Sequence, residues 1–290
     1  MSNLKEYLKK CATTVDATLD EILPTDAHRP ESIHKLMRYS TFAGGKRIRP
    51  ALVLATSEAL GQEFGNKNAC LAGSAIEMLH TFSLIHDDLP SMDDDDMRRG
   101  KPTAHKAFNE GLAVLGGDAL AIFAFEVLAR TGDIRIVSEI AKALGTDGMI
   151  GGQVVDIESE GKPVDLETVR YIHMNKTAAL LRASVLTGAS LAGATDEQME
   201  KLTAYGNAIG LAFQVIDDIL DITSTTEVLG KDAGSDLERG KATWPALTSL
   251  EESKRYASEL TATAKESVAF LGDKGAMLVA IADYLESRID

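Results

Sequence analysis

The chain has 290 residues, 44% of them hydrophobic but only 5% aromatic, and a formal charge of −14 from 30 basic and 44 acidic residues. Ala and Leu are abundant, so a sizeable core is expected, built from helices rather than sheets. So acidic a chain excludes a general nucleic-acid surface, which needs positive potential, and an anionic substrate would depend on local basic groups and metal.

The N-terminal stretch from Met1 to Lys10 carries no apolar signal core, and no uninterrupted apolar stretch predicts a bilayer span, so a soluble, cytoplasmic protein is expected. Cys11 and Cys70 lack the paired spacing of a zinc or redox site and are expected to be buried and reduced. Apolar residues then recur at helical spacing, as in Ile76, Leu79, His80, Ser83 and Leu84, and again in Leu112, Leu115, Ala119, Ile122 and Phe123. Asp165-Leu-Glu-Thr and Thr195-Asp-Glu-Gln place polar caps and acids at the starts of helices. No stretch shows strand-like alternation with hairpin turns, and no linker divides the chain. The expectation is one all-α domain over 1–290, a bundle of roughly ten or more helices.

Chemistry concentrates in a few places. Gly44-Gly-Lys46-Arg47-Ile-Arg49-Pro50 and Arg98-Arg99-Gly-Lys101-Pro are compact cationic turns of the kind that clamp phosphate oxygens. Neither has Walker spacing, and no dinucleotide-binding glycine fingerprint occurs. Asp87 and Asp88 end an apolar helix, and Pro90 interrupts or bends the chain beyond it so that Asp93 can return towards the pair. The neighbouring Asp94, Asp95 and Asp96 read as loop residues. Asp217, Asp218 and Asp221, with Gln214 one turn earlier, share a helix face about 6 Å long. Their flanks Phe213, Val215, Ile216, Ile219, Leu220 and Ile222 are apolar, so simple solvation explains them poorly. Two such all-oxygen clusters suit hard divalent ions and suggest a diphosphate held between them.

These segments, together with Met97–His105, Gly152-Gln-Val-Val-Asp156, Lys176-Thr177 and Gly230-Lys-Asp-Ala-Gly-Ser-Asp236 with Lys241 beyond it, stand in the order seen in the trans-isoprenyl diphosphate synthases. The chain resembles that family over nearly its whole length, and within it the bacterial short-chain farnesyl diphosphate synthases.

The resemblance implies an isoprenoid synthase-type helical bundle with a large central cavity. It also implies head-to-tail condensation of isopentenyl diphosphate with dimethylallyl or geranyl diphosphate to give farnesyl diphosphate. Mg²⁺, with Mn²⁺ as a substitute, would be held by Asp87, Asp88, Asp93, Asp217, Asp218 and Asp221. Arg98, Lys176, Thr177, Gln214, Lys231 and Lys241 would contact the allylic diphosphate, with Lys176, Thr177, Gln214 and Lys231 catalytic. Lys46, Arg49, His80 and Arg99 would hold isopentenyl diphosphate. A homodimer is implied in the same way.

Ser83 and Phe82, four and five residues before Asp87, are expected to line the prenyl tunnel, and the bulk of Phe82 favours stopping at fifteen carbons. Geranylgeranyl diphosphate synthase is the alternative. Further rivals are a non-catalytic synthase subunit and a type I terpene cyclase, whose usual second metal motif is absent. The chain ends Glu286-Ser-Arg-Ile-Asp290 where many relatives have a basic tail, so closure of the site by the C-terminus is open, with Arg288 the candidate.

Overall fold

A computed structural model describes residues 2–223, 241 and 243–289. Among the described residues, ten helices and one small hairpin precede the long helix that carries the second acidic motif. They are α1 (Ser2–Ile22), α2 (Glu31–Thr41), α3 (Ile48–Ala59), α4 (Lys67–Asp87), β1 (Met97–Arg98), β2 (Lys101–Pro102), α5 (Ala104–Ala107), α6 (Glu110–Ala129), α7 (Ile134–Leu144), α8 (Met149–Ser159), α9 (Leu166–Ile172) and α10 (Ala179–Leu191). A π-helical turn, His173–Ala178, joins α9 to α10. The long helix is α11 (Asp196–Thr223), and beyond it come α12 (Trp244–Leu247), α13 (Leu250–Ser267), a 3₁₀ turn (Ala269–Gly275) and α14 (Ala276–Glu286).

The all-α expectation holds, with one correction. Arg98 pairs with Lys101 and Met97 with Pro102 across a two-residue turn in which Arg99 (φ 53°) and Gly100 (φ 75°) are both left-handed. That backbone twist matches a tight hairpin, and two-residue strands are too short to leave a periodic signal. The predicted caps are present. Asp165 accepts from Thr168 N at 2.9 Å, and Thr195 and Gln198 form a reciprocal capping box.

Two apolar clusters fill the bundle. One joins α1, α2, α4, α6 and α7 around Leu19, Leu36, Ile76, Leu79, Leu120 and Leu128; the other joins α3, α10, α11, α13 and α14 around Leu52, Val185, Tyr205, Ile209, Ile219 and Leu278. Cys11 and Cys70 are buried and unbridged, as expected. The buried Arg47 donates to Glu77 and to Thr41 O, both at 2.8 Å, and to Asp16 at 2.9 Å, tying the cationic turn to α4 and α1.

By length and composition α6 alone among the described helices could cross a bilayer, but Asp118 and Glu126 interrupt its apolar run. Its Ala113, Gly116, Gly117, Leu120, Ala124 and Val127 are buried within the bundle, while Val114, Leu115 and Ile122 remain exposed.

Candidate active site

The site forms where α4 and α11 end. Almost every residue of α4 from Ala69 to Leu79 is buried, and Pro90 cannot continue the helix. The chain instead turns back, with Asp93 N donating to Asp87 O at 2.8 Å and Asp94 N to Leu89 O at 3.0 Å. Asp93 thus returns beside Asp87. Across a cavity of about 210 Å³ lie Asp217 and Asp218 of α11, and Asp95, Asp156, Arg98, Lys176 and Lys241 complete the polar wall.

The π-turn presents Lys176 and Thr177. Gly152 of α8 makes this possible, because a Cβ there would lie 2.2 Å from Lys176 N. The close packing brings Lys176 Nζ to 2.6 Å from Asp156 Oδ2. Lys241 Nζ lies 3.1 Å from Asp93 Oδ1 and 3.8 Å from Asp156 Oδ2. Thr177 donates its hydroxyl proton to Gln214 Oε1. Arg98 spans Asp88 at 2.5 Å and Asp95 at 2.9 Å.

A second cavity, about 650 Å³, shares Asp87, Arg98, Lys176, Thr177, Gln214 and Asp217 with the first. Its walls are otherwise largely apolar, lined by Phe82, Ser83 and Met92, by Met149, Ile150, Val154 and Ile157 of α8, and by Phe213. Arg49, His80 and Arg99 also line it. One continuous space therefore offers both charged and hydrocarbon surfaces.

Burial pushes the Asp87 carboxyl up, with Lys176 opposing and Asp93 reinforcing the shift. Burial also raises Asp88 to about 6, against the pull of Arg98. Burial disfavours the ionised form of both carboxyls, and a bound cation would favour it. The donor set is oxygen only, which fits Mg²⁺ or Mn²⁺ rather than a softer ion. His80 is held well below its ordinary value by burial and then by Arg49 and Arg99, so it stays neutral, and burial lowers Arg49 to about 10.

Four of the six expected metal ligands, Asp87, Asp93, Asp217 and Asp218, line the polar cavity. Asp88 turns towards Arg98 and a neighbouring pocket, and Asp221 is buried without lining either cavity. Lys46 is exposed and faces a separate pocket between α1 and α14, its ammonium 5.5 Å from the Tyr284 ring. Lys231 lies outside the described residues. Arg288 Nη2 is 3.5 Å from Asp217 Oδ1 and its guanidinium lies over Phe213, so the C-terminal segment does reach the site.

Sequence reasoning missed Asp156, His173 and Thr243 as lining residues. Asp95, expected in the loop, faces the cavity and pairs with Arg98. Asp94 and Asp96 are exposed loop residues as expected. With His105 they form a separate group whose ligand atoms lie within 4.8 Å of one another, and Asp96 is already neutralised by Lys106 at 2.7 Å.

A family model described as polyprenyl synthetase matches residues 30–273. The chain belongs to the polyprenyl synthetase family. A chloroplastic geranylgeranyl pyrophosphate synthase of Capsicum annuum is 49% identical, with 99% of this chain and 79% of the relative covered. A geranylgeranyl diphosphate synthase of Cyanophora paradoxa is 46% identical, with 99% and 97% covered. Among solved structures, an FPP/GFPP synthase of Zymomonas mobilis superposes with a TM-score of 0.86 at 35% identity, covering 98% of this chain and 99% of the other.

Two expectations are corrected by these polyprenyl synthetases. The farnesyl product is overturned by the curated relatives, which are geranylgeranyl diphosphate synthases at 46–49% identity, well above the solved structure. The bulk of one residue, Phe82, is a poor guide, because Met149, Ile150, Val154 and Ile157 of α8 line the same cavity. The cytoplasmic location is likewise overturned by relatives described as chloroplastic.

Proposed function

We propose that the protein condenses isopentenyl diphosphate with an allylic diphosphate to give geranylgeranyl diphosphate. The observation that carries this reading is the wall shared by the two cavities, where Asp87, Asp217, Lys176 and Thr177 stand between a polar pocket and an apolar one. A prenyl diphosphate has that same division. The product length is drawn from the geranylgeranyl synthases matched over 99% of the chain.

In this reading Asp87, Asp93, Asp217 and Asp218 hold Mg²⁺, which supplies charge to the departing diphosphate. Lys176, Lys241 and Arg98 bind the same diphosphate and stabilise it as the allylic carbon–oxygen bond breaks. Thr177 and Gln214, hydrogen-bonded to each other, turn oxygen dipoles towards the allylic cation. Arg49 and Arg99, with neutral His80, hold isopentenyl diphosphate so that its double bond attacks that cation. The released diphosphate takes the final proton, so no side-chain nucleophile is needed. The whole chain acts as one domain, and the exposed Leu115 and Ile122 of α6 favour a homodimer.

Labelled isopentenyl diphosphate supplied with dimethylallyl, geranyl or farnesyl diphosphate and Mg²⁺ tests this by product chromatography. A twenty-carbon end product is expected from each primer. A product that stops at fifteen carbons overturns the chain length, and no Mg²⁺-dependent product overturns prenyl transfer.

A further inference from the structure

His173 is buried and lines the polar cavity, yet the chemistry of prenyl transfer gives it no task. It opens the π-turn that carries Lys176 and Thr177. Its Nε2 lies 3.3 Å from Asp218 Oδ2 on α11. That same oxygen accepts the Trp244 backbone N–H at 2.7 Å. The imidazole also stacks on the Trp244 ring (6.0 Å, 24°), which stacks in turn on Tyr256 of α13 (4.8 Å, 9°). One carboxylate oxygen is thus the meeting point of the π-turn, the end of α11 and the segment leading into α12.

We propose that His173 is a positioning residue for the diphosphate site. It acts through Asp218 Oδ2 to hold Asp217 and Lys176 at their working separation. The inference rests on the prenyl-transfer reading and adds to it a residue that acts through another side chain. Asp217 and Lys176 belong to different helices, and Asp218 with His173 supplies a polar tie one residue from the first and three from the second. A carboxylate hydrogen-bonded to the Trp244 N–H on one oxygen and approached by the His173 ring nitrogen at that same oxygen is restricted in orientation, and supporting contacts of this kind set the geometry of the groups that do the chemistry. Misplacement of such groups by about 1 Å can cost about 100-fold in rate.

The stacking and the polar contact separate cleanly by substitution. His173→Phe keeps an aromatic ring against Trp244 and removes the nitrogen, whereas His173→Gln keeps a side-chain N–H donor and removes the ring. The expected result is a fall in kcat of about tenfold or more for His173→Phe, with an increased Mg²⁺ requirement and the KM for isopentenyl diphosphate within about twofold of wild type. His173→Gln should recover kcat to within about threefold of wild type even if its melting temperature is lower, because the donor and not the stack sets the geometry. A His173→Phe enzyme with wild-type kcat and Mg²⁺ dependence overturns the proposal. So does equal loss in both variants, which would make the role one of packing. If His173→Phe does not fold, His173→Leu against His173→Gln makes the same comparison, and failure of Gln to exceed Leu is again decisive against it. Inactivity of the wild-type protein would instead count against prenyl transfer itself.

Discussion

Lys176 and Asp156 form the shortest bridge between the π-turn and α8, with Nζ 2.6 Å from Oδ2 and both groups largely shielded from water. An ammonium on a four-carbon stem is mobile unless something fixes it. Asp156 fixes Lys176 and lies 3.8 Å from Lys241 Nζ as well. Asp156→Asn preserves shape and removes the charge. It should lower kcat by about 10- to 100-fold while leaving the KM for isopentenyl diphosphate near wild type. Steady-state kinetics with each substrate varied in turn will check this.

Phe82 of α4 lines the apolar cavity, with its ring edge-on to His86 at 5.7 Å. Truncating it widens the space on that side without touching the polar wall. Phe82→Ala should shift the products beyond the wild-type length at a similar rate of isopentenyl diphosphate consumption. An unchanged product profile would assign the stop to Met149, Val154 or Ile157 of α8.

The first acidic motif was legible because its signals are local: an apolar helix, two acids at its end, and a proline that turns Asp93 back. The helix caps at Asp165 and Thr195 were legible for the same reason. The role of Asp156, named only as the end of a matching segment, was not legible, and His173 gave no signal within its own segment. Their roles arise only when Gly152 lets α8 press on the π-turn and when α12 folds against α11. Asp95 looked like one of a run of solvated acids until the hairpin brought Arg98 against it. Product length was hidden for a similar reason, because the apolar cavity is lined by α4 and α8, which lie far apart in sequence.

Asp88 makes a pH-dependent prediction. Its folded carboxyl is raised to about 6, chiefly by burial, above the ordinary 3.8. A raised carboxyl prefers its proton in the folded state. Its favourable contribution is therefore complete below about pH 4 and lost as pH rises through about 6. In the absence of divalent metal, Asp88→Asn should stabilise the protein by up to about 2 kcal/mol at about pH 7.5. The gain should shrink towards about pH 4. Thermal melts in chelator at the two pH values measure it, and a gain that grows on acidification would reverse the sign.

Arg47 and Glu77 are each 2% exposed in their side chains and lie 2.8 Å apart. Removing one partner strands a charge in the core, which costs about 3–5 kcal/mol, whereas replacing both with apolar groups of similar size is often near neutral. Arg47 also holds Thr41 O and Asp16, and it is the residue that precedes α3, two positions before Arg49. Glu77→Leu alone should therefore lower stability by about 3 kcal/mol or more. The Arg47→Met, Glu77→Leu double variant should recover most of that loss. Denaturant unfolding of the wild type, both single variants and the double closes the cycle. If the pair serves only to stabilise, the double variant will keep the wild-type KM for isopentenyl diphosphate; if it also positions Arg49, that KM will rise while stability returns.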